Sequence, residues 1–90
     1  MLEIVSSNRF KKDLKLAIRR GYKIELLEEV VNKLANRETL DEKYKDHELT
    51  GDLKGLRECH ITPDWLLVYQ IIEKELVLYL SRTGTHSDLF

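Results

Sequence analysis

The residues best suited to chemistry are three histidines in the second half of the chain, His47, His60 and His86. None lies in an apolar periodic pattern, and each is flanked by acids, small polar residues or a turn. Glu58 and His60 are two residues apart in a segment with strand-like alternation, so their side chains project from one face. Asp64 lies just beyond the end of that segment. These groups predict a polar site assembled by the C-terminal half.

With Arg82 added, the set is suited to the cleavage of RNA. Imidazoles exchange protons near neutral pH, carboxylates orient them, and a guanidinium can hold a phosphate. One group would remove the proton of a ribose 2′-hydroxyl, another would protonate the leaving 5′-oxygen, and a cation would offset charge on the phosphorane. The spacing alone does not bring His86 to His60, so their convergence is a hypothesis.

Other interpretations of these residues stand beside this one. A single histidine near a strand end is more often a surface or hydrogen-bonded residue, and Arg82 could form a surface ion pair. Zinc binding by the histidines is not favoured, because their spacings of 13 and 26 residues do not match a compact ligand pattern such as H-E-x-x-H. Cys59 alternates onto the face opposite His60, so it is interpreted as a buried apolar residue. No metal and no cofactor is predicted.

Length and composition indicate one globular domain spanning residues 1–90. Apolar residues make up 42% of the chain and charged residues 34%, which is typical of soluble proteins. A single cysteine excludes an internal disulfide framework. No N-terminal apolar run is present, and no stretch approaches the ~18 apolar residues of a membrane span. We therefore expect a cytoplasmic protein without a membrane partner.

The charge is distributed unevenly, although the net charge is only -1. Residues 8–23 contain seven bases and one acid, whereas residues 24–52 contain nine acids and four bases. Charges act over about a Debye length, ~8 Å at physiological salt, so the first segment predicts a locally basic surface. Within it, Lys11, Lys15 and Arg19 recur every four residues as a ridge. An ordinary solvated helix face is the alternative.

The hydrophobic pattern predicts an α+β fold with the order βααβββ. A strand is expected at 2–5, a helix at 8–20 capped by Ser6 or Ser7 and ended by Gly21, and a second helix at about 23–36. A long polar connection, 37–52, contains His47, and connections of that length are often functional. Strands are expected at 56–61, 65–72 and 76–82. The two-helix hairpin would pack on a mainly antiparallel four-stranded sheet.

Three blocks of the sequence, YKDHELTG, RECHITPDWLLVY and RTGTHSDLF, resemble the YafQ branch of the RelE/ParE toxin superfamily. All three occur in the family's order, and the predicted elements agree with a RelE-like fold over the whole chain. The resemblance implies the toxin of a type II toxin–antitoxin system. Such a toxin is a ribosome-dependent mRNA endonuclease that cuts translated message in the ribosomal A site, by metal-independent acid/base catalysis through the RNA 2′-hydroxyl.

The resemblance also implies roles for individual residues. Four match the family's catalytic positions: His47, His60, Asp64 and His86. Glu58 stands where the family commonly has an acid, Arg82 matches the arginine of the last block as a phosphate contact, and Phe90 matches a terminal aromatic. We expect His86 to be the general acid, with His47 or His60, assisted by Asp64, as base or transition-state stabiliser. The candidates for contacts with ribosomal RNA phosphates are Lys11, Lys12, Lys15 and Arg19.

The expected partners are the ribosome, mRNA and a cognate antitoxin whose disordered segment folds over the toxin. We expect a toxin–antitoxin hetero-oligomer and a monomeric free toxin. Members of the superfamily are usually basic, and this chain departs from them in being slightly acidic. ParE-like members poison gyrase and lack this histidine set, so its presence favours a nuclease. The alternatives are a non-catalytic binding module that inhibits by docking and a metal-dependent hydrolase.

Overall fold

The protein, described by a computed structural model of Met1–Phe90, has an α+β fold in which two consecutive helices follow the first strand and four consecutive strands follow the helices. Its regular elements are β1 (Glu3–Ser6), α1 (Asn8–Arg19), α2 (Ile24–Ala35), β2 (His47–Glu48), β3 (Arg57–Thr62), β4 (Trp65–Ile72), β5 (Val77–Gly84) and α3 (His86–Leu89). Single 3₁₀ turns occur at Glu42–Tyr44, Gly51–Leu53 and Glu73–Glu75.

The strands form one mixed sheet in the order β1-β5-β4-β3-β2. Only β1 and β5 run parallel, and the other neighbours are antiparallel. The predicted two-helix hairpin on a mainly antiparallel sheet is confirmed. The predicted number of four strands was one too few, because β2 has only two residues and no periodic pattern reveals so short a strand.

The two long helices cover one face of this sheet. The side chain of Ser7 caps α1 by accepting a 2.9 Å hydrogen bond from the backbone N–H of Phe10. The helices contribute Phe10, Ala17, Leu27, Val30, Val31, Leu34 and Ala35 to the core. Burying each large apolar side chain stabilises the fold by about 1.5–3 kcal/mol. The apolar spacing of α1 also includes Ile18 and so predicts that it is buried, but its side chain is 55% exposed.

Strand β4 lies at the centre of the sheet and is buried on both faces, as its nearly continuous apolar sequence predicts. Trp65, Leu67 and Tyr69 face the helices and belong to the main core. Leu66 and Val68 alternate onto the opposite face and are equally buried. Strand β4 therefore packs into the helical core on one face of the sheet. On the other face, Leu66 and Val68 lie beside His60 and Glu58 of β3.

The connection between α2 and β3, which the sequence predicts to be long and polar, is locally ordered. Asp41 caps the turn Glu42–Tyr44, and the ring of Tyr44 is buried in the core. Strand β2 then pairs with β3, with His47 opposite Glu58. This pairing carries the first histidine from a loop onto the edge of the sheet.

Cys59 is fully buried on the helical face of β3, as its alternation with His60 predicts. Burial raises the pKa of its thiol from 9.0 to about 12. The reactive thiolate is therefore about a thousandfold scarcer than in an exposed cysteine. We expect Ellman's reagent at pH 8 to label the folded protein at least a hundredfold more slowly than the chain unfolded in guanidinium. Equal labelling rates in the two states would contradict this burial.

Candidate active site

An open cavity of about 510 Å³ lies where the β3–β4 turn meets the start of α3. Its lining comes from three parts of the chain: the region around the β3–β4 turn, the start of α3 and the segment after α1. The lining residues are Tyr22, His60, Pro63, Asp64, Leu66, Thr85, His86 and Ser87. His60, Asp64 and His86, which are distant in the sequence, therefore face a common space.

Strand pairing explains this convergence. His60 on β3 pairs with Leu66 on β4, and Leu66 in turn pairs with Gly84 on β5. Neighbouring strands lie about 4.8 Å apart, so Gly84 is separated from His60 by about 10 Å across the sheet. His86 follows two residues later, at the first position of α3. The two histidines therefore reach one cavity from the strands on either side of β4.

The turn after β3 orients the ring of His60. Its Nδ1 lies 3.2 Å from the carbonyl oxygen of Pro63, at the tight turn between β3 and β4. A carbonyl oxygen only accepts hydrogen bonds, so Nδ1 carries the hydrogen and donates it. In the neutral ring the other nitrogen, Nε2, is then an unprotonated acceptor. This is the tautomer that a general base requires.

His86 is presented by a one-turn helix with a complete capping box. The Thr85 hydroxyl accepts from the backbone N–H of Asp88 at 3.2 Å, and the Asp88 carboxylate accepts from the backbone N–H of Thr85 at 2.9 Å. Four residues on, the ring of Phe90 lies 5.2 Å from that of His86, centroid to centroid. The terminal aromatic residue therefore contacts one of the predicted catalytic residues.

His47 lies apart from this cavity, beside Glu58. Its Nδ1 donates to the carbonyl oxygen of Lys45 at 2.7 Å, and its Nε2 lies 3.5 Å from Oε1 of Glu58. Only 8% of the Glu58 side chain is exposed, and its Oε2 is buried without a hydrogen-bond partner. The two side chains form a pair on the same sheet face as His60.

Asp46, which the sequence reasoning did not single out, holds the segment that carries His47. Its carboxylate accepts from the hydroxyl of Tyr69 and, at 3.1 Å, from the guanidinium of Arg57. Burial, followed by this hydrogen bond to Asp46, raises the pKa of Tyr69. The only signal in the sequence was its position beside His47 in the block YKDHELTG.

Arg82 does not join the histidine cavity, contrary to the hypothesis from the sequence. Its guanidinium makes a two-pronged ion pair with Asp13 of α1, at 2.9 and 3.0 Å. Asp13 also accepts from the backbone N–H of Thr83, at 3.2 Å. This bond holds the carboxylate beside β5, where it binds the guanidinium of Arg82. The hydrogen bonds to Asp13 raise the pKa of Arg82. Both residues line a separate cavity of about 150 Å³ between α1 and the C-terminal segment.

The basic ridge of Lys11, Lys15 and Arg19 on α1 is extended by Lys12, and the four residues are together called the ridge. All four side chains are exposed, and none forms an ion pair with a carboxylate. Their charges are therefore not neutralised within the molecule. The acidic residues that lower the net charge lie largely in residues 24–52, so the ridge keeps a positive local field.

No helix combines the length and the apolar composition needed to cross a membrane. No group of three or more histidine, cysteine or carboxylate side chains is arranged so as to hold a metal ion. Of the three histidines, His60 and His86 line the cavity, and His47 is paired with Glu58.

Comparisons with known proteins agree on one family. The family model for the bacterial toxin YafQ of type II toxin–antitoxin systems matches residues 2–90. The mRNA interferase toxin YafQ of Escherichia coli K12 is 40% identical over 89 residues, which are 98% of this chain and 95% of that protein.

Solved structures extend the similarity to the backbone. A metal-bound toxin from Helicobacter pylori is 52% identical, with a TM-score of 0.95 and full coverage of both chains. A chain of the E. coli DinJ–YafQ complex is 40% identical, with a TM-score of 0.90, covering 100% of this chain and 99% of that one. This level of identity over the whole length establishes both fold and family.

Proposed function

The chain belongs to the YafQ family of bacterial toxins from type II toxin–antitoxin systems, and we infer from this that it is an endoribonuclease that cuts mRNA. The observation that carries the proposal is the cavity shared by His60, Asp64 and His86. Two imidazoles and a carboxylate around one open cavity supply what cleavage through the 2′-hydroxyl requires. The substrate is message under translation, held in the ribosomal A site.

We assign His60 as the general base. Its Nδ1–H is committed to the carbonyl of Pro63, so Nε2 accepts the proton of the 2′-hydroxyl as its oxygen attacks the adjacent phosphorus. Asp64, in the turn that orients His60, supports the imidazolium formed in this step. The structure favours His60 over His47 because His47 has its Nδ1 bonded to Lys45 and its Nε2 turned to Glu58.

His86 acts as the general acid. Its imidazolium gives a proton to the 5′-oxygen as the bond from phosphorus to that oxygen breaks. The products are a 2′,3′-cyclic phosphate on one fragment and a 5′-hydroxyl on the other, so atoms and charge balance without water or a metal ion. Phe90 lies against the ring of His86 and is proposed to limit the movement of that ring.

The remaining predicted residues support the reaction from outside the cavity. The His47–Glu58 pair places an imidazole and a buried carboxyl group on the sheet face that carries His60. Arg82 binds Asp13 through Nε and Nη2, so a substrate phosphate can be contacted through Nη1 alone unless Asp13 releases the arginine. Its proposed role is therefore coupled to α1, and the charge at the phosphate comes first from the imidazolium groups.

The binding partners and the location of the proposed nuclease are inferred from its family and from its charge distribution. The ridge on α1 contacts ribosomal RNA phosphates. A cognate antitoxin, corresponding to the DinJ of the E. coli complex, binds the toxin in a hetero-oligomer and suppresses it until needed. Both the target and the antitoxin place the site of action in the cytoplasm.

Primer extension on ribosomes programmed with a defined message tests the proposal. We expect new 5′ ends within the A-site codon that require both ribosomes and the toxin, and fragments that end in a cyclic phosphate. Uncut message in the presence of active, toxin-bound ribosomes would overturn it. Should the toxin also cut isolated RNA without ribosomes, survival of that cleavage in EDTA would separately exclude a metal-dependent hydrolase.

A non-catalytic inhibitor that acts by docking is the second candidate, and the exposed, unpaired ridge favours it. Docking alone predicts that a variant without His86 remains toxic when expressed. Cleavage predicts that toxicity is lost with the histidine even though the ribosome is still bound.

Reversing the charge of the ridge, with all four residues changed to glutamate, is expected to weaken ribosome binding at least tenfold. Each lost phosphate contact also flattens the dependence of affinity on salt, by a slope of about one per contact. Cosedimentation with ribosomes at several salt concentrations measures both effects. Lys74→Glu, at the exposed tip of the β4–β5 hairpin, is the matched control. An unchanged salt slope in the ridge variant would show that another surface binds RNA.

A further inference from the structure

We propose that Asp88 and Arg20 are positioning residues for His86, so that the basic helix α1 fixes the general acid in the cavity. The proposal rests on the function proposed above and adds two residues to it. Neither lines the cavity that contains His60 and His86, so both would act through the placement of α3.

The first argument is that α3 cannot hold its position alone. It has four residues, and an isolated helix of one turn is not stable in water. The capping box between Thr85 and Asp88 shapes the turn, but it is local and does not fix the turn relative to the sheet. A contact from elsewhere in the chain has to supply that orientation.

Arg20, just beyond the end of α1, supplies that contact. Its Nη1 lies 2.6 Å from Oδ2 of Asp88 and its Nη2 lies 3.2 Å from Oδ1, a two-pronged pair across 68 residues. A forked pair of this kind fixes direction as well as distance. Hydrogen bonding to Arg20 is the main cause of the low pKa of Asp88, and it favours the charged carboxylate that the pair requires.

The same carboxylate joins three parts of the chain. Oδ2 of Asp88 accepts both from Arg20 and from the backbone N–H of Thr85, the cap of α3. Gly84, the last residue of β5, leaves the space for it. A Cβ at position 84 would meet the Cβ and Oδ2 of Asp88 at 3.0 Å. Strand β5, helix α3 and the end of α1 are thus connected at one side chain.

A second ion pair also joins α1 to the C-terminal segment, with the acid on α1 and the base on β5. Asp13 lies seven residues before Arg20, two turns earlier on the same face of α1, and binds Arg82 of β5. Helix α1 therefore gives an acid to β5 and a base to α3. This arrangement ties the ridge that would meet ribosomal RNA directly to the segment carrying His86.

The Arg20–Asp88 pair is partly exposed, with 36% and 25% of the two side chains accessible. Exposed pairs add little to the stability of a fold. Their loss is therefore expected to alter the placement of His86 much more than the folding of the protein, which makes the positioning role separable from a structural one.

The test is single-turnover cleavage on programmed ribosomes with Arg20→Met and Asp88→Asn. The asparagine variant keeps an oxygen for the backbone N–H of Thr85 but removes the charge that binds Arg20. A displacement of about 1 Å costs on the order of a hundredfold in rate. We expect the maximal rate to fall at least tenfold with an unchanged half-saturating toxin concentration, and Arg20→Lys to recover part of the loss.

Arg37→Met is the matched control, because Arg37 forms a pair with Glu73 of the same geometry, 2.6 and 3.2 Å, away from the cavity. It is expected to cut at the wild-type rate. Wild-type rates in both Arg20→Met and Asp88→Asn would overturn the proposal. So would a loss that appears only in the half-saturating concentration.

An activity-independent measurement separates this proposal from the nuclease itself. In the imidazole NMR spectrum of the free toxin, Arg20→Met and Asp88→Asn are expected to shift or broaden the His86 signals and leave those of His60 unchanged. Arg37→Met should change neither. If the wild-type protein failed to cut message, the nuclease proposal would fall. These spectra would still show whether the Arg20–Asp88 pair positions His86. Unmoved His86 signals in both variants would overturn it.

Discussion

Replacing His86 with alanine is expected to lower the single-turnover cleavage rate by about 10²–10⁴-fold, the usual contribution of a positioned general acid. The leaving 5′-oxygen would otherwise depart as an unstabilised alkoxide. His86 is an exposed residue at the start of α3, so its removal should leave the fold intact. The measurement is the rate of appearance of cut message at saturating toxin.

His86→Gln is the informative companion, because it keeps the size and the hydrogen-bonding capacity of the side chain without its proton transfer. We expect it to be as inactive as the alanine variant and to melt at the wild-type temperature. Substantial activity in the glutamine variant would mean that His86 binds the substrate and does not transfer a proton.

The second large effect is expected at His60. His60→Ala removes the free Nε2 acceptor that the Pro63 carbonyl orients, and we expect a loss of the same order as for His86. Because acid and base act on one event, the double variant should be far less impaired than the product of the single losses. The measurement is again the maximal single-turnover rate.

His47→Ala is the matched comparison for this assignment. It removes an imidazole of the same site face that does not line the cavity and whose Nε2 is turned towards Glu58. The structure therefore predicts a smaller loss than for His60→Ala. A reversed order, with His47 the more costly, would transfer the role of base to His47 and require the Glu58 pair to open in the complex.

The elements that could be predicted from the sequence are those with a repeated pattern. The apolar stripes of α1 and α2 and the continuous run Trp65–Ile72 are long enough to distinguish helix from buried strand. Strand β2 could not be predicted in this way. Its two residues form a strand because β3 offers an edge to pair with, which is a property of the folded sheet.

The site was predictable to the extent that it depends on motifs. The resemblance implied one catalytic set of His47, His60, Asp64 and His86, of which the last three line one cavity while His47 lies beside Glu58. The alignment of His60, Leu66 and Gly84 across three strands explains why His60 and His86 reach that cavity. The partners of the charged residues were not predictable. Asp13 binds Arg82 across 69 residues and Arg20 binds Asp88 across 68, and no local pattern reveals such pairs. The separation of Arg82 from the histidines was missed for this reason.

The most direct test of the central claim, that two imidazoles drive attack by the substrate's own 2′-oxygen, is cleavage of a message with a single 2′-deoxynucleotide at the scissile position. We predict that programmed ribosomes and toxin leave the modified message uncut, while the unmodified message is cut at that position with a cyclic phosphate. Cleavage of the deoxy message at an undiminished rate would mean that water or another group attacks the phosphorus, and would contradict the account.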